Sequence, residues 1–162
     1  MNKTLDRCDL LITGGQVIDG TGCPAITADV AVQGDRIIAV GDLTVEKADA
    51  VIDAQGKVIT PGFIDVHTHD DRLLLSNSEV TPKLSQGVTT VVVGNCGVSL
   101  SPWLSDRAPP PPLDLVFPDG KNGAHFSTFE SYSTELARRP PAINALPLIG
   151  HSTLRCGAMD RL

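Results

Sequence analysis

The chain has 162 residues, a formal net charge of -6, and a composition that is 41% apolar and 20% charged. That allows an ordinary hydrophobic core and excludes an intrinsically disordered chain. The acidic balance, with no block of Lys or Arg, argues against a nucleic-acid surface, and no apolar run is long enough to span a bilayer. Residues 1–6 lack the apolar core of a signal peptide, so the expected location is the cytoplasm. Cys8, Cys23, Cys96 and Cys156 are scattered without a CxxC, which predicts free thiols, one of them a candidate ligand, rather than a disulfide framework.

Residues 8–60 read as short strands joined by tight turns. A β-rich stretch at 9–13 is expected to stop at Gly14-Gly15, and a second at 16–19 to stop at Gly20-Thr21-Gly22. Residues 29–33 and 36–40 flank Gly34-Asp35, a hairpin signal because glycine supplies the positive φ that such turns need. A further strand at 50–53 ends at Ala54-Gln55-Gly56. Together these predict a small β-sandwich or curled sheet over residues 1–60 with a structural role.

The pattern changes at residues 57–67, where an apolar run ends in polar residues instead of alternating. Such runs suit strands buried on both faces of a parallel sheet. Others come at 88–94 and at 142–150, the last weakened by Pro147. Between them, residues 81–87 carry a cap, a first-turn proline and a terminating glycine. Ser127 and Glu130 form a capping-box pattern for a helix running to about Arg139, with Phe129, Tyr132 and Leu136 on one face. Strand, helix, strand, helix, strand is the start of an α/β fold. Residues 101–126, with four prolines at 109–112 and a turn-rich stretch at 119–123, read as a long loop, either a surface excursion or a flap over the site.

The central chemical feature is His67-Thr68-His69. Residues i and i+2 of a strand share a face, so two imidazoles at one strand end can converge on one ion. Neutral imidazole is a good zinc ligand. An HxH alone is weak; here it ends a buried run, follows Pro61-Gly62 and precedes Asp70-Asp71, which are candidate acceptors for orienting the histidines. Cys96, within Gly94-Asn95-Cys96-Gly97, also lies just beyond an apolar strand. Its position fits a small buried residue, common for free cysteine, somewhat better than a thiolate ligand. His151 stands at a third strand end, where a structural role leads over a ligand role. Arg155 suits carboxylate binding or an ordinary ion pair. His125 has no supporting pattern.

At these residues the sequence resembles a known family. Residues 61–71, Pro-Gly-Phe-Ile-Asp-Val-His-Thr-His-Asp-Asp, are similar to the first metal-binding strand of the amidohydrolase superfamily. Residues 85–99, Ser-Gln-Gly-Val-Thr-Thr-Val-Val-Val-Gly-Asn-Cys-Gly-Val-Ser, resemble the N-acyl-D-amino-acid deacylase (D-aminoacylase) group, and Gly150-His151-Ser152-Thr153-Leu154-Arg155 points the same way. The resemblance implies a metal-dependent (β/α)₈ barrel, begun over residues 61–162 and preceded by a small β-sandwich domain. It implies zinc, held in part by His67 and His69 with Cys96 as an unusual thiolate ligand. It implies hydrolysis of the amide bond of N-acyl-D-amino acids, a small-molecule substrate, and gives no oligomeric state.

A (β/α)₈ barrel needs about 250 residues, whereas 162 − 61 + 1 = 102 remain from Pro61. The expectation is therefore an incomplete barrel, an N-terminal fragment whose catalytic base lies elsewhere and which alone neither holds zinc tightly nor turns over substrate. Two other readings stand beside it. A cyclic-amide hydrolase of the hydantoinase or dihydroorotase kind typically uses a carboxylated lysine where the deacylase group uses cysteine, so the Gly-Asn-Cys-Gly string argues against it. A non-catalytic truncated remnant is the other.

Overall fold

A computed structural model of the chain describes residues 3–76, 79–105, 108–117 and 126–159. His125 and the turn-rich stretch at 119–123 lie outside the described residues. The chain divides into two compact units, Met1–Pro61 and Gly62–Leu162.

The first unit is a five-stranded sheet built on β1 (Lys3–Val17), with β2 (Ile26–Gln33), β3 (Arg36–Gly41), β4 (Leu43–Asp53) and β5 (Val58–Ile59). Its order is β3-β2-β1-β4, and β5 also pairs with β1. The hairpin expected across Gly34-Asp35 is present, with Gln33 opposite Arg36 and Gly34 at φ 58°. The expected break at Gly14-Gly15 is not. A single strand of 15 residues runs through it, and the pairing with β2 slips between Ile12 and Gly15. Gly14 takes φ 67° there and donates its N–H to Asp29 Oδ1 at 2.9 Å. The glycine pair therefore makes a bulge inside one strand, where positive φ is needed, rather than a turn between two. The buried centre of this unit is small: Cys8, Ala31 and Ala39.

In the second unit β6 (Phe63–Thr68), β7 (Val88–Val93) and β8 (Asn144–Pro147) form a parallel sheet in that order. β7 lies between the other two, which explains its apolar run: Val91 and Val93 are fully buried. β8 spans only four residues and ends at its proline. Helices α1 (Leu73–Ser76) and α2 (Thr81–Leu84) follow β6, α3 (Phe129–Arg138) precedes β8, and α4 (His151–Ala158) follows it. The cap of α2 is Val80 at φ 45°, not Thr81. That of α3 is Thr128 rather than Ser127, and the Thr128 hydroxyl accepts the Ser131 N–H at 3.1 Å. Tyr132 and Leu136 turn one face of α3 into the core, as their spacing predicts.

That core joins Leu74, Val80, Val91, Val93, Val98 and Leu100 to the segment read from sequence as a loop. Trp103, Leu113, Val116 and Phe117 are buried within it, and the Trp103 and Phe117 rings meet at 4.9 Å between centroids. A surface excursion is thus the wrong picture of these residues. Each aromatic or aliphatic side chain buried this way contributes roughly 1.5–3 kcal/mol, and a 3₁₀ turn at Leu113–Val116 delivers two of them past the prolines. Among the described residues no helix is long and apolar enough to cross a membrane.

Candidate metal centre

Because β6, β7 and β8 are parallel, their carboxyl ends lie along one edge of the sheet. In open α/β sheets and barrels that edge carries the chemistry. His67 is the penultimate residue of β6, His69 follows the strand, and Cys96 lies three residues past Val93, the last of β7.

β6 does not reach its end as a regular strand. Asp65 pairs with Val91 and Thr68 with Val93, so residues 66 and 67 stand opposite Val92 alone. This bulge reverses the side-chain alternation, and bulges commonly re-aim side chains beside functional sites. Asp65 and Thr68, three apart, therefore face the same partner, the ammonium of Lys83 on α2. Two other side chains hold the backbone of the bulge. Asp65 Oδ1 accepts the N–H of His67 at 3.1 Å, and Asn95 donates its amide to the carbonyl of Val66 at 2.8 Å. Asn95 ties the histidine strand to the turn that carries its own neighbour, Cys96.

The Cys96 turn is set by backbone. Gly94 and Gly97 have φ of 84° and 90°, and the Gly97 N–H closes the turn on the Gly94 carbonyl at 3.0 Å. A Cβ on Gly94 would run into the Leu148 carbonyl, so glycine is required there for space as well as for φ. The Gly97 carbonyl accepts the N–H groups of Ser152 and Thr153 at 2.9 and 3.2 Å, which anchors the turn on the start of α4. Thr153, fully buried, accepts the Ser99 N–H and donates to the Ser99 carbonyl at 2.9 and 3.1 Å.

These two arms bring His67, His69 and Cys96 together. One donor atom from each lies within 4.8 Å of the others, and the residues are exposed, half-buried and exposed. Cys96 Sγ is 3.4 Å from His69 Nε2, and the imidazole rings stand 6.0 Å apart between centroids at 60°. Zinc–sulfur and zinc–nitrogen bonds of about 2.3 and 2.0–2.1 Å in a tetrahedron place the two ligands about 3.5 Å apart. The observed separation and the N,N,S donor set therefore fit a zinc-type ion.

The remaining sequence candidates stand elsewhere. Asp70 Oδ2 accepts from the Thr68 hydroxyl at 2.6 Å and pairs with Lys83 at 3.1 Å, so it does not orient a histidine ring. Asp71 is buried; its Oδ1 accepts the Leu100 N–H at 3.1 Å, and its backbone carbonyl accepts from the Tyr132 hydroxyl at 2.9 Å. Burial raises the Asp71 carboxyl pKa, a shift only partly opposed by its bond from Leu100 and its proximity to His69. His151 opens α4 exposed and outside the donor cluster. Arg155 bonds the Met159 sulfur at 3.3 Å. Lys83 and Asn95 were not singled out from sequence. Lys83 carried no signal, since only the bulge brings it under the HxH, while Asn95 sat unread inside the string that named Cys96.

The amidohydrolase family profile matches residues 50–158. The chain belongs to the amidohydrolase family. Over 162 residues this amidohydrolase chain is 51% identical to the N-acyl-D-aspartate deacylase of Alcaligenes xylosoxydans xylosoxydans, covering 98% of this chain and 32% of that protein. Its fold matches a D-aminoacylase structure determined to define the role of a binuclear metal centre, with a TM-score of 0.86 and 52% identity over 96% of this chain and 32% of that one. It also matches the N-acyl-D-glutamate deacylase from Bordetella bronchiseptica, complexed with zinc and a phosphonate mimic of the tetrahedral intermediate. There the TM-score is 0.85 and the identity 42%, over 96% of this chain and 32% of that one. The amidohydrolase chain thus spans about a third of the length of these relatives. The D-aminoacylase resemblance read from residues 61–71 and 85–99 agrees with all three likenesses.

Proposed function

We propose that this chain carries metal donors of a zinc-dependent hydrolase acting on the amide bond of N-acyl-D-amino acids, with release of a carboxylate and a D-amino acid. The observation that carries the reading is the meeting of the Cys96 thiol with His67 and His69 at the ends of two adjacent parallel strands. Relatives of similar sequence and fold are deacylases of N-acyl-D-aspartate and N-acyl-D-glutamate, the second complexed with zinc, and these supply the substrate class and the metal. We read β6–β8 with their helices as the first part of a (β/α)₈ barrel over residues 61–162, and the sheet of residues 1–60 as part of a small β-sandwich domain.

Bound by His67, His69 and Cys96, zinc would supply Lewis acidity toward the amide carbonyl and acidify water near neutral pH. The chain's own part is to present two neutral imidazoles and a thiolate, so binding displaces the thiol proton. Among the described residues no carboxylate joins the donor cluster, and we assign no catalytic residue in this chain.

The test is a titration with Co²⁺, whose near-ultraviolet charge-transfer band reports a thiolate ligand. The band appears in the wild-type chain at a high excess of Co²⁺, as weak binding by part of a ligand set requires, and is lost in Cys96→Ala. A wild-type chain without the band, or a Cys96→Ala chain that keeps it, contradicts the reading.

A further inference from the structure

We propose that Lys83 is the positioning residue of the His67/His69 pair. This rests on the reading of those histidines as metal donors. An ammonium has three protons, and Lys83 directs its Nζ to three acceptors around the HxH: Asp65 Oδ2 at 2.7 Å, Thr68 Oγ1 at 3.1 Å and Asp70 Oδ2 at 3.1 Å. The two carboxylates pass the restraint on. Asp65 holds the His67 N–H through its other oxygen at 3.1 Å, and Asp70 accepts the Thr68 hydroxyl at 2.6 Å. Asp65, two residues before His67, Thr68, between the histidines, and Asp70, just after them, are thereby tied to one point on α2.

The arrangement depends on the bulge, without which Asp65 and Thr68 would face opposite sides. The side chains are largely withdrawn from solvent, at 20% exposure for Lys83, 31% for Asp65 and 16% for Asp70. Removing the ammonium leaves two carboxylates converging on an unneutralised, part-buried space, where like charges repel and an unpaired charge is strongly unfavourable. The bulge would then open and the imidazoles lose their aim, although Lys83 touches neither ring. Partners that orient metal ligands from behind typically matter 10–100-fold in metal affinity.

The experiment measures Co²⁺ and Zn²⁺ affinity of the whole chain by direct titration over a range that reaches weak binding, beside the cobalt spectrum and a circular-dichroism melt. The expected result is about 10–100-fold weaker binding in Lys83→Met, an altered cobalt band, and partial recovery in Lys83→Arg, which keeps the charge but not the tripod. Wild-type affinity and spectrum in a folded Lys83→Met chain overturn the proposal. If Lys83→Met does not fold, Thr68→Val decides: it keeps every charge and the side-chain shape, and unchanged affinity there overturns the proposal equally. A wild-type chain that binds no metal defeats the functional reading itself, whereas normal wild-type binding with unaffected variants defeats only the role of Lys83.

Discussion

The two arms of the candidate metal centre are held in different ways. The histidine arm, at the end of β6, is held by side chains: Lys83, Asp65, Thr68 and Asp70 on one side, Asn95 on the other. The cysteine arm, beyond β7, is held by backbone: two glycines with positive φ, a closed turn, and a carbonyl seated on the first N–H groups of α4. Side-chain networks can be loosened one partner at a time, while a glycine turn tolerates almost no added atom. The cysteine arm should therefore fail through stability and the histidine arm through geometry.

The largest expected effect is at Gly94. Gly94→Ala forces a Cβ toward the Leu148 carbonyl at φ 84°. The left-handed backbone alone opposes a side chain by about 1–2 kcal/mol, and overlap with a neighbouring backbone adds about 1–3 kcal/mol. A urea or thermal melt should show destabilisation of several kcal/mol; a wild-type melt would show that the turn can yield. Next is Thr153→Val, which removes the donor and acceptor that clasp Ser99. Leaving buried backbone groups without partners is destabilising by about 1–3 kcal/mol each, so the midpoint should fall clearly.

Tyr132→Phe tests the histidine side for contrast. It deletes one buried hydrogen bond to the Asp71 carbonyl and should lower stability by about 1 kcal/mol. The smallest change in stability, about 0.5–1 kcal/mol, belongs to Asn95→Ala, which loses an exposed bond to the Val66 carbonyl. Since Asn95 links the arms, metal affinity should drop in this variant far more than the melt reveals. An affinity loss no larger than that of Thr153→Val would remove the distinction between the arms.

Much of this was legible in the sequence, for definite reasons. The parallel strands at 63–68 and 88–93 overlap the apolar runs at 57–67 and 88–94, although the first run divides between β5 and β6 and Phe63, Ile64 and Val66 of β6 are exposed rather than buried, while Tyr132 and Leu136 form the expected helical face. Gly94-Asn95-Cys96-Gly97 declared both a turn and a ligand candidate. What escaped was register. Nothing local shows that Gly14-Gly15 bulges within a strand rather than ending it, because either conformation uses positive φ and the choice falls to Asp29, fifteen residues away. The bulge after Asp65 is the same case and carries more consequence. It exists only against β7, so the grouping of Asp65, Thr68 and Asp70 around Lys83 is not readable from spacing, and Asp70 meets Thr68 and Lys83 rather than a histidine. Burial of Trp103, Leu113, Val116 and Phe117 was hidden by the prolines around them, whose loop signal says nothing of what the apolar residues between them touch.

The central claim is that His67, His69 and Cys96 bind one metal ion together, and X-ray absorption at the zinc edge tests it most directly. The zinc-loaded chain should show one sulfur at about 2.3 Å and imidazole nitrogens at about 2.0–2.1 Å, with the sulfur shell lost in Cys96→Ala. A spectrum of nitrogen and oxygen alone in the wild-type chain would contradict it.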